Sequence, residues 1–249
     1  MSVRAAAVPV GVCLAVLALT ACGSAESATS DKNAAASAAD PYAGKTPEEI
    51  QLLAYDETRT AQFKKARARL TGDGVTRSLD LSFVGLDCAG TFSGEGIGST
   101  EIHATSDIVH VKRDAEAWRA ALTGTKAEED AMVERAAGRW MKLTADQADT
   151  KGIAKECQLH DPMVLLEEPT PEITRGTSAV VDGRPAITLM YRGAQGGTVT
   201  EYVAAQGRPY LLKRTETGRI QSEITYHDFE KITQIWPPAD SELVAADGI

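Results

Sequence analysis

The last third of the chain constrains the fold most. Short runs rich in β-branched and apolar residues follow one another at 177–181, 184–192, 198–204, 209–215 and 220–229. Between them stand Asp182-Gly183, Gly196-Gly197, Gln206-Gly207 and Thr217-Gly218. Such pairs supply the positive φ that tight hairpins need. Strands joined this closely pair antiparallel, because a parallel partner needs a crossover of a dozen or more residues. Residues 177–229 therefore read as an antiparallel meander, stopped by Pro237-Pro238.

Upstream the pattern is mixed. Thr46 to Leu70 reads as one helix: Thr46 is the N-cap, Pro47 takes the first position, and Glu48 and Glu49 suit the positive end. Ile50, Leu53, Phe63 and Leu70 give it an apolar stripe, and Gly72 and Gly74 end it. Residues 78–84 and 100–103 alternate as strands, and 108–112 is a short strand. Asp114 opens a helical piece around Trp118, and a second runs from Lys126 to Ala137. Residues 140–143 read as a strand and 146–166 as a mixed helical region, after which Pro169 and Pro171 break the chain. Many strands with few helices give an α+β class, a twisted antiparallel sheet with helices over one face.

The N-terminus carries an address. Arg4 precedes an apolar run from Ala5 to Leu19, too short for a comfortable membrane span of about 20 residues. Leu19-Thr20-Ala21-Cys22 resembles the lipobox of bacterial lipoproteins, in which the cysteine thiol receives a diacylglycerol, palmitate being the expected acyl chain, and the leader is cut so that the cysteine becomes residue one. Residues 1–21 are then the leader. Residues 22–45, poor in large apolar side chains, form a flexible tether. The foldable domain is 46–242, and 243–249 is a frayed tail. A second acyl chain turns marginal membrane binding into stable anchoring. The expected location is the outer, extracytoplasmic face of the cell membrane.

The 249 residues carry a formal charge of −9. Loss of the leader, which holds Arg4 and no acid, makes the chain one unit more negative. Nucleic acid is an unsuitable partner for such a surface. Once Cys13 leaves with the leader and Cys22 is acylated, Cys88 and Cys157 remain as an even pair. In an oxidising compartment a disulfide is the simplest accounting, with two separate buried thiols as the alternative. It would close a loop of about 70 residues and contribute about 2–4 kcal/mol.

A resemblance accumulates along the domain. It is carried by Asp87-Cys88-Ala89-Gly90-Thr91, by Val109-His110-Val111-Lys112 leading to Trp118, and by Gly138-Arg139-Trp140-Met141-Lys142-Leu143. It continues in Asp182-Gly183-Arg184-Pro185-Ala186, Tyr202-Val203-Ala204 and Gly207-Arg208-Pro209-Tyr210-Leu211-Leu212. Ile224-Thr225-Tyr226-His227-Asp228-Phe229 and Pro237-Pro238-Ala239 complete it. The pattern resembles actinobacterial cell-surface lipoproteins of the LppX/LprG group, which share the fold of the lipoprotein carrier LolA. The resemblance implies a strongly curved antiparallel sheet, an incomplete barrel with helices on its concave face. It also implies an apolar or lipid ligand held between sheet and helices.

Catalytic chemistry has no comparable signature. His103, His110, His160 and His227 are scattered without metal-ligand spacing, and no G-x-S-x-G elbow or phosphate-binding glycine loop occurs. Glu128-Glu129-Asp130 lacks calcium-loop spacing. No cofactor is implied, and the chain does not read as an enzyme. Trp118, Met132, Trp140 and Met163 are the candidates to line a pocket, with plain core packing as the alternative. The expected partners are the membrane, through covalent lipid, and a lipid or other apolar ligand. The alternative function is a structural or protein-interaction component of the cell envelope with no ligand cavity.

Overall fold

A computed structural model of the chain describes residues 40–150, 155–166, 172–193 and 196–244. Cys22, the leader and the tether up to residue 39 lie outside the described residues, as do Pro169, Pro171 and the tail from 245. Twelve strands form one sheet: β1 Phe63–Gly72, β2 Val75–Val84, β3 Asp87–Gly94, β4 Gly98–Ala104, β5 Ile108–Arg113, β6 Trp140–Thr144, β7 Thr174–Val181, β8 Arg184–Arg192, β9 Thr198–Ala204, β10 Leu211–Glu216, β11 Gln221–His227 and β12 Leu243–Val244. The helices are α1 Pro47–Thr60, α2 Ala115–Ala121, α3 Lys126–Ala136 and α4 Ala145–Thr150, with 3-10 turns at Lys155–His160, Pro162–Leu165 and Asp240–Glu242.

Sheet order is β12-β6-β5-β4-β3-β2-β1-β11-β10-β9-β8-β7, and the sheet does not close. Two antiparallel meanders, β1–β6 and β7–β11, are joined along the β1–β11 pair. The short β12–β6 pair alone is parallel. The segment after β6 must pass from one end of the sheet to the other before β7 starts. Its residues 155–166 lie on the helix side, where Cys157, Leu159, Met163 and Leu165 join the core. The Cys88–Cys157 disulfide fixes it to β3, with Cα atoms 5.8 Å apart. The Tyr226 hydroxyl donates to the Leu159 carbonyl at 3.1 Å.

One core lies between the sheet and these helices. Ile50, Ala54 and Tyr55 of α1, Trp118 of α2, and Met132, Val133 and Ala136 of α3 meet Leu81, Phe83, Ile102, Val111 and Met141 of the sheet. Full burial of such a side chain contributes about 1.5–3 kcal/mol. A smaller cluster of Val181, Ala186, Ala204, Tyr210 and Leu212 forms apart from it. Leu211 faces the first cluster and Leu212 the second, as alternation requires, and the bulge at Leu212 then returns Arg214 to the first side opposite Glu201.

The single helix read over 46–70 is a correction. It ends at Thr60, and residues 63–72 form β1 in the middle of the sheet. Ala66 and Ala68 are buried while Arg67 and Arg69 are exposed, a period of two. Lys64 marks the junction. It is buried, and its ammonium donates to the carbonyls of Arg59 (3.3 Å) and Ala61 (3.4 Å) at the end of α1. Burial pulls its pKa down to about 8. Tyr42, within the span read as tether, is also buried and donates its hydroxyl to the Ala204 carbonyl.

Candidate functional site

Register brings one row of side chains across the helix-facing side of the sheet. Leu79 of β2 pairs with Phe92 of β3, Phe92 with Thr100 of β4, and Thr100 with Arg113 of β5. The short helix α2 follows at once and covers the end of this row. Its position depends on Asp114, whose carboxylate accepts from Ala117 N at 2.7 Å and from Ser99 N at 2.8 Å. It depends equally on Gly98: a Cβ there would stand 2.3 Å from the Ala117 nitrogen, and its φ is +65°. The helix therefore sits directly on β4.

A crevice of about 210 Å³ remains between α2 and the sheet. Leu79, Thr100 and Ala117 are buried at its base. Phe92, Ile97, Arg113 and Glu156 are half-buried in its walls, and Arg77, Ala120 and Ala121 are exposed at its mouth. Ala117, Ala120 and Ala121 present a smooth helical face, so the wall is shallow and apolar. Arg113 lies over the Trp118 ring, 5.2 Å from its centroid. Burial pushes the Arg113 pKa down, against the attraction of Glu156. Burial pushes the Glu156 carboxyl up, against Arg113, Arg77 and Lys155. One oxygen of Glu156 is buried with no hydrogen-bond partner. Glu156 directly precedes Cys157, so the disulfide holds it against β3.

The same row continues through Ala68, Ile224, Arg214, Glu201 and Leu189. Glu201 is fully buried there beneath α1. Its carboxylate accepts from the Tyr55 hydroxyl, from the Tyr191 hydroxyl at 2.9 Å and from the Gln51 amide at 2.9 Å. The Arg214 Nε lies 3.8 Å away. Three donors, two of them on α1, engage this fully buried carboxylate, so the cluster holds α1 against β9.

The residues singled out from the sequence fall in several places. Trp118 is in the core, directly behind Arg113 and one turn-position from Ala117 of the crevice. Met132 is in the core on α3, and Met163 packs against it from a 3-10 turn. Trp140 is on the opposite face of the sheet, under Lys112 at 5.3 Å, because its neighbour Met141 occupies the core position and strand side chains alternate. Arg77, Arg113 and Glu156 were not singled out. They belong to three separate elements, and only the strand register and the disulfide unite them. The one local signal was Ala117, Ala120 and Ala121, spaced to share a helix face just after an arginine. A larger depression, about 450 Å³, lies on the other side of the sheet among Arg67, Arg69, Asp80 and Glu223. Its charges are largely paired across strands, as in Arg67–Asp80 at 3.2 Å, which is the pattern of a solvated face.

No family model matches the chain, and no curated protein does. Among solved structures it is similar to lipoprotein LppX of Mycobacterium tuberculosis, at 13% identity and TM-score 0.48, over 75% of this chain and 96% of that one. It is similar to MucB at 12% identity and TM-score 0.36, over 81% of this chain and 63% of that one. It is also similar to a putative outer membrane lipoprotein-sorting protein domain from Vibrio parahaemolyticus, at 11% identity and TM-score 0.26, over 76% and 95%.

Proposed function

We propose that the chain is an extracytoplasmic lipoprotein, tethered to the outer face of the cell membrane through lipid on Cys22, that binds an apolar chain in the α2 crevice without catalysis. The observation that carries the reading is the crevice itself. It lies between sheet and helices, with an apolar base of Leu79 and Ala117 and walls of Phe92 and Ile97. Apolar matter leaving water for such a base is favoured by about 25 cal/mol per Å² buried. The tether keeps the binding site beside the membrane that supplies the ligand. Passive binding is supported by the engagement of the buried Glu201 carboxylate by Tyr55, Tyr191 and Gln51.

A second reading is favoured by the filled core. Trp118, Tyr55, Phe83 and Leu81 are at most 1% exposed. The crevice volume also lies below the roughly 300 Å³ at which drug-sized sites begin. On that reading the chain is a structural or protein-interaction component of the envelope. Mass spectrometry of protein purified from its native host separates the two. The expected result is an acylated Cys22 peptide together with a stoichiometric co-purifying apolar compound. An acylated peptide with no co-purifying compound supports the interaction role, and an unmodified Cys22 overturns the anchor.

A further inference from the structure

We propose that the crevice selects an amphiphile with an anionic head, a carboxylate or phosphate held between Arg77 and Arg113, its chain lying along Leu79, Phe92, Ile97 and the α2 alanines. This rests on the binding reading above and names the ligand class. The argument is one of charge placed against apolar surface. Two guanidinium groups line a small opening that is apolar apart from Ser93, Thr100 and Glu156, and Glu156 is the one acid among its lining residues. The two arginines differ in their freedom. Arg77 is exposed at the mouth, whereas Arg113 is half-buried and fixed on the Trp118 ring.

A half-buried guanidinium loses hydration that its surroundings must replace. Arginine's planar fork suits the paired oxygens of a carboxylate or phosphate. In the ligand-free crevice Glu156 is the acid that acts on both arginines, and Lys155 adds a further cation beside it. An arriving anionic head then competes with Glu156 for the arginines, and the disulfide next to Glu156 keeps that competitor in place. The small volume limits the occupant to a short chain or the end of a longer one.

Calorimetric titration of the mature full chain with decanoate, 1-decanol and inorganic phosphate tests the proposal. Decanoate is expected to bind about tenfold more tightly than decanol, the scale of one charge-assisted contact. Arg77→Gln and Arg113→Gln weaken decanoate by a similar factor, so that its advantage over decanol is lost. Glu156→Gln tightens decanoate, an effect of opposite sign that loss of packing does not produce. Equal affinity for decanoate and decanol overturns the anionic preference and leaves apolar binding standing. Binding of neither overturns both readings. Phosphate binding as tightly as decanoate shows an anion site to which the chain contributes nothing, and overturns the amphiphile. Arg77 is exposed, so its variant reports even where Arg113→Gln fails to fold.

Discussion

A carboxylate carried into an apolar core costs several kcal/mol unless its oxygens are engaged. Glu201 meets that condition through Tyr55, Tyr191 and Gln51, with Arg214 beside it. Two of these donors come from α1, so the helix is docked by polar bonds at its centre as well as by Ile50 and Ala54. Tyr55→Phe keeps the ring and removes one donor. The expected loss is about 1–3 kcal/mol in urea unfolding; an unchanged midpoint would show that the carboxylate does not depend on α1. None of this network was visible in sequence, because Glu201 sits in an ordinary alternating run, Thr198 to Ala204, where an acid reads as the wet face. Trp140 shows the same difficulty in reverse. Strand parity is decided by one residue, and Met141 took the core position that the larger neighbour was expected to fill.

Among the elements, the C-terminal segment leaves β11 at His227 and returns to the far edge of the sheet, where β12 pairs with β6. His103 and His110 face each other across β4 and β5, on the side opposite Ile102 and Val111. Both are buried, with ring centroids 5.7 Å apart and no partner for either Nδ1. The Ile235 backbone and the Asp240 carboxylate of the returning segment, Asp87 of β3 and Lys142 of β6 are the polar or charged groups that act on them. Burial, the largest cause, holds both imidazoles below their ordinary pKa; Lys142 and the facing histidine add to the effect at His110. The folded state therefore prefers the neutral rings, while the unfolded chain protonates near pH 6.5. Stability is full above about pH 6.5 and falls as the pH drops below it. Urea midpoints measured from about pH 7.5 to about pH 5.5 are expected to decline, and the decline is expected to shrink in His103→Leu/His110→Leu. A wild-type profile parallel to the variant's contradicts the account. The elements themselves were unevenly legible. β8 and β9 lie where the hairpin pattern put them, since turn glycines fix strand ends. β1 was read as helix because Lys, Ala, Arg and Leu are helix formers and only pairing with β2 and β11 overrides that preference.

For the whole molecule, one cross-strand row links the buried Glu201–Arg214 pair to the crevice. The fold class was readable because hairpin turns and alternation are local signals. The site was not, because Arg77 and Arg113 share a face only once β2 to β5 are paired in register, and Glu156 joins them only when a disulfide draws the 155–160 turn onto β3. The anchor and the crevice together define the proposed molecule, a tethered domain with one small apolar opening of positive rim. The most direct measurement places the ligand. In a Trp140→Phe/Trp236→Phe chain, Trp118 is the sole tryptophan and lies behind Arg113 at the crevice. Titration with an ω-brominated medium-chain fatty acid is predicted to quench Trp118 emission saturably, with competition by decanoate. Full emission retained at concentrations that saturate binding would contradict the assignment of the crevice as the ligand site.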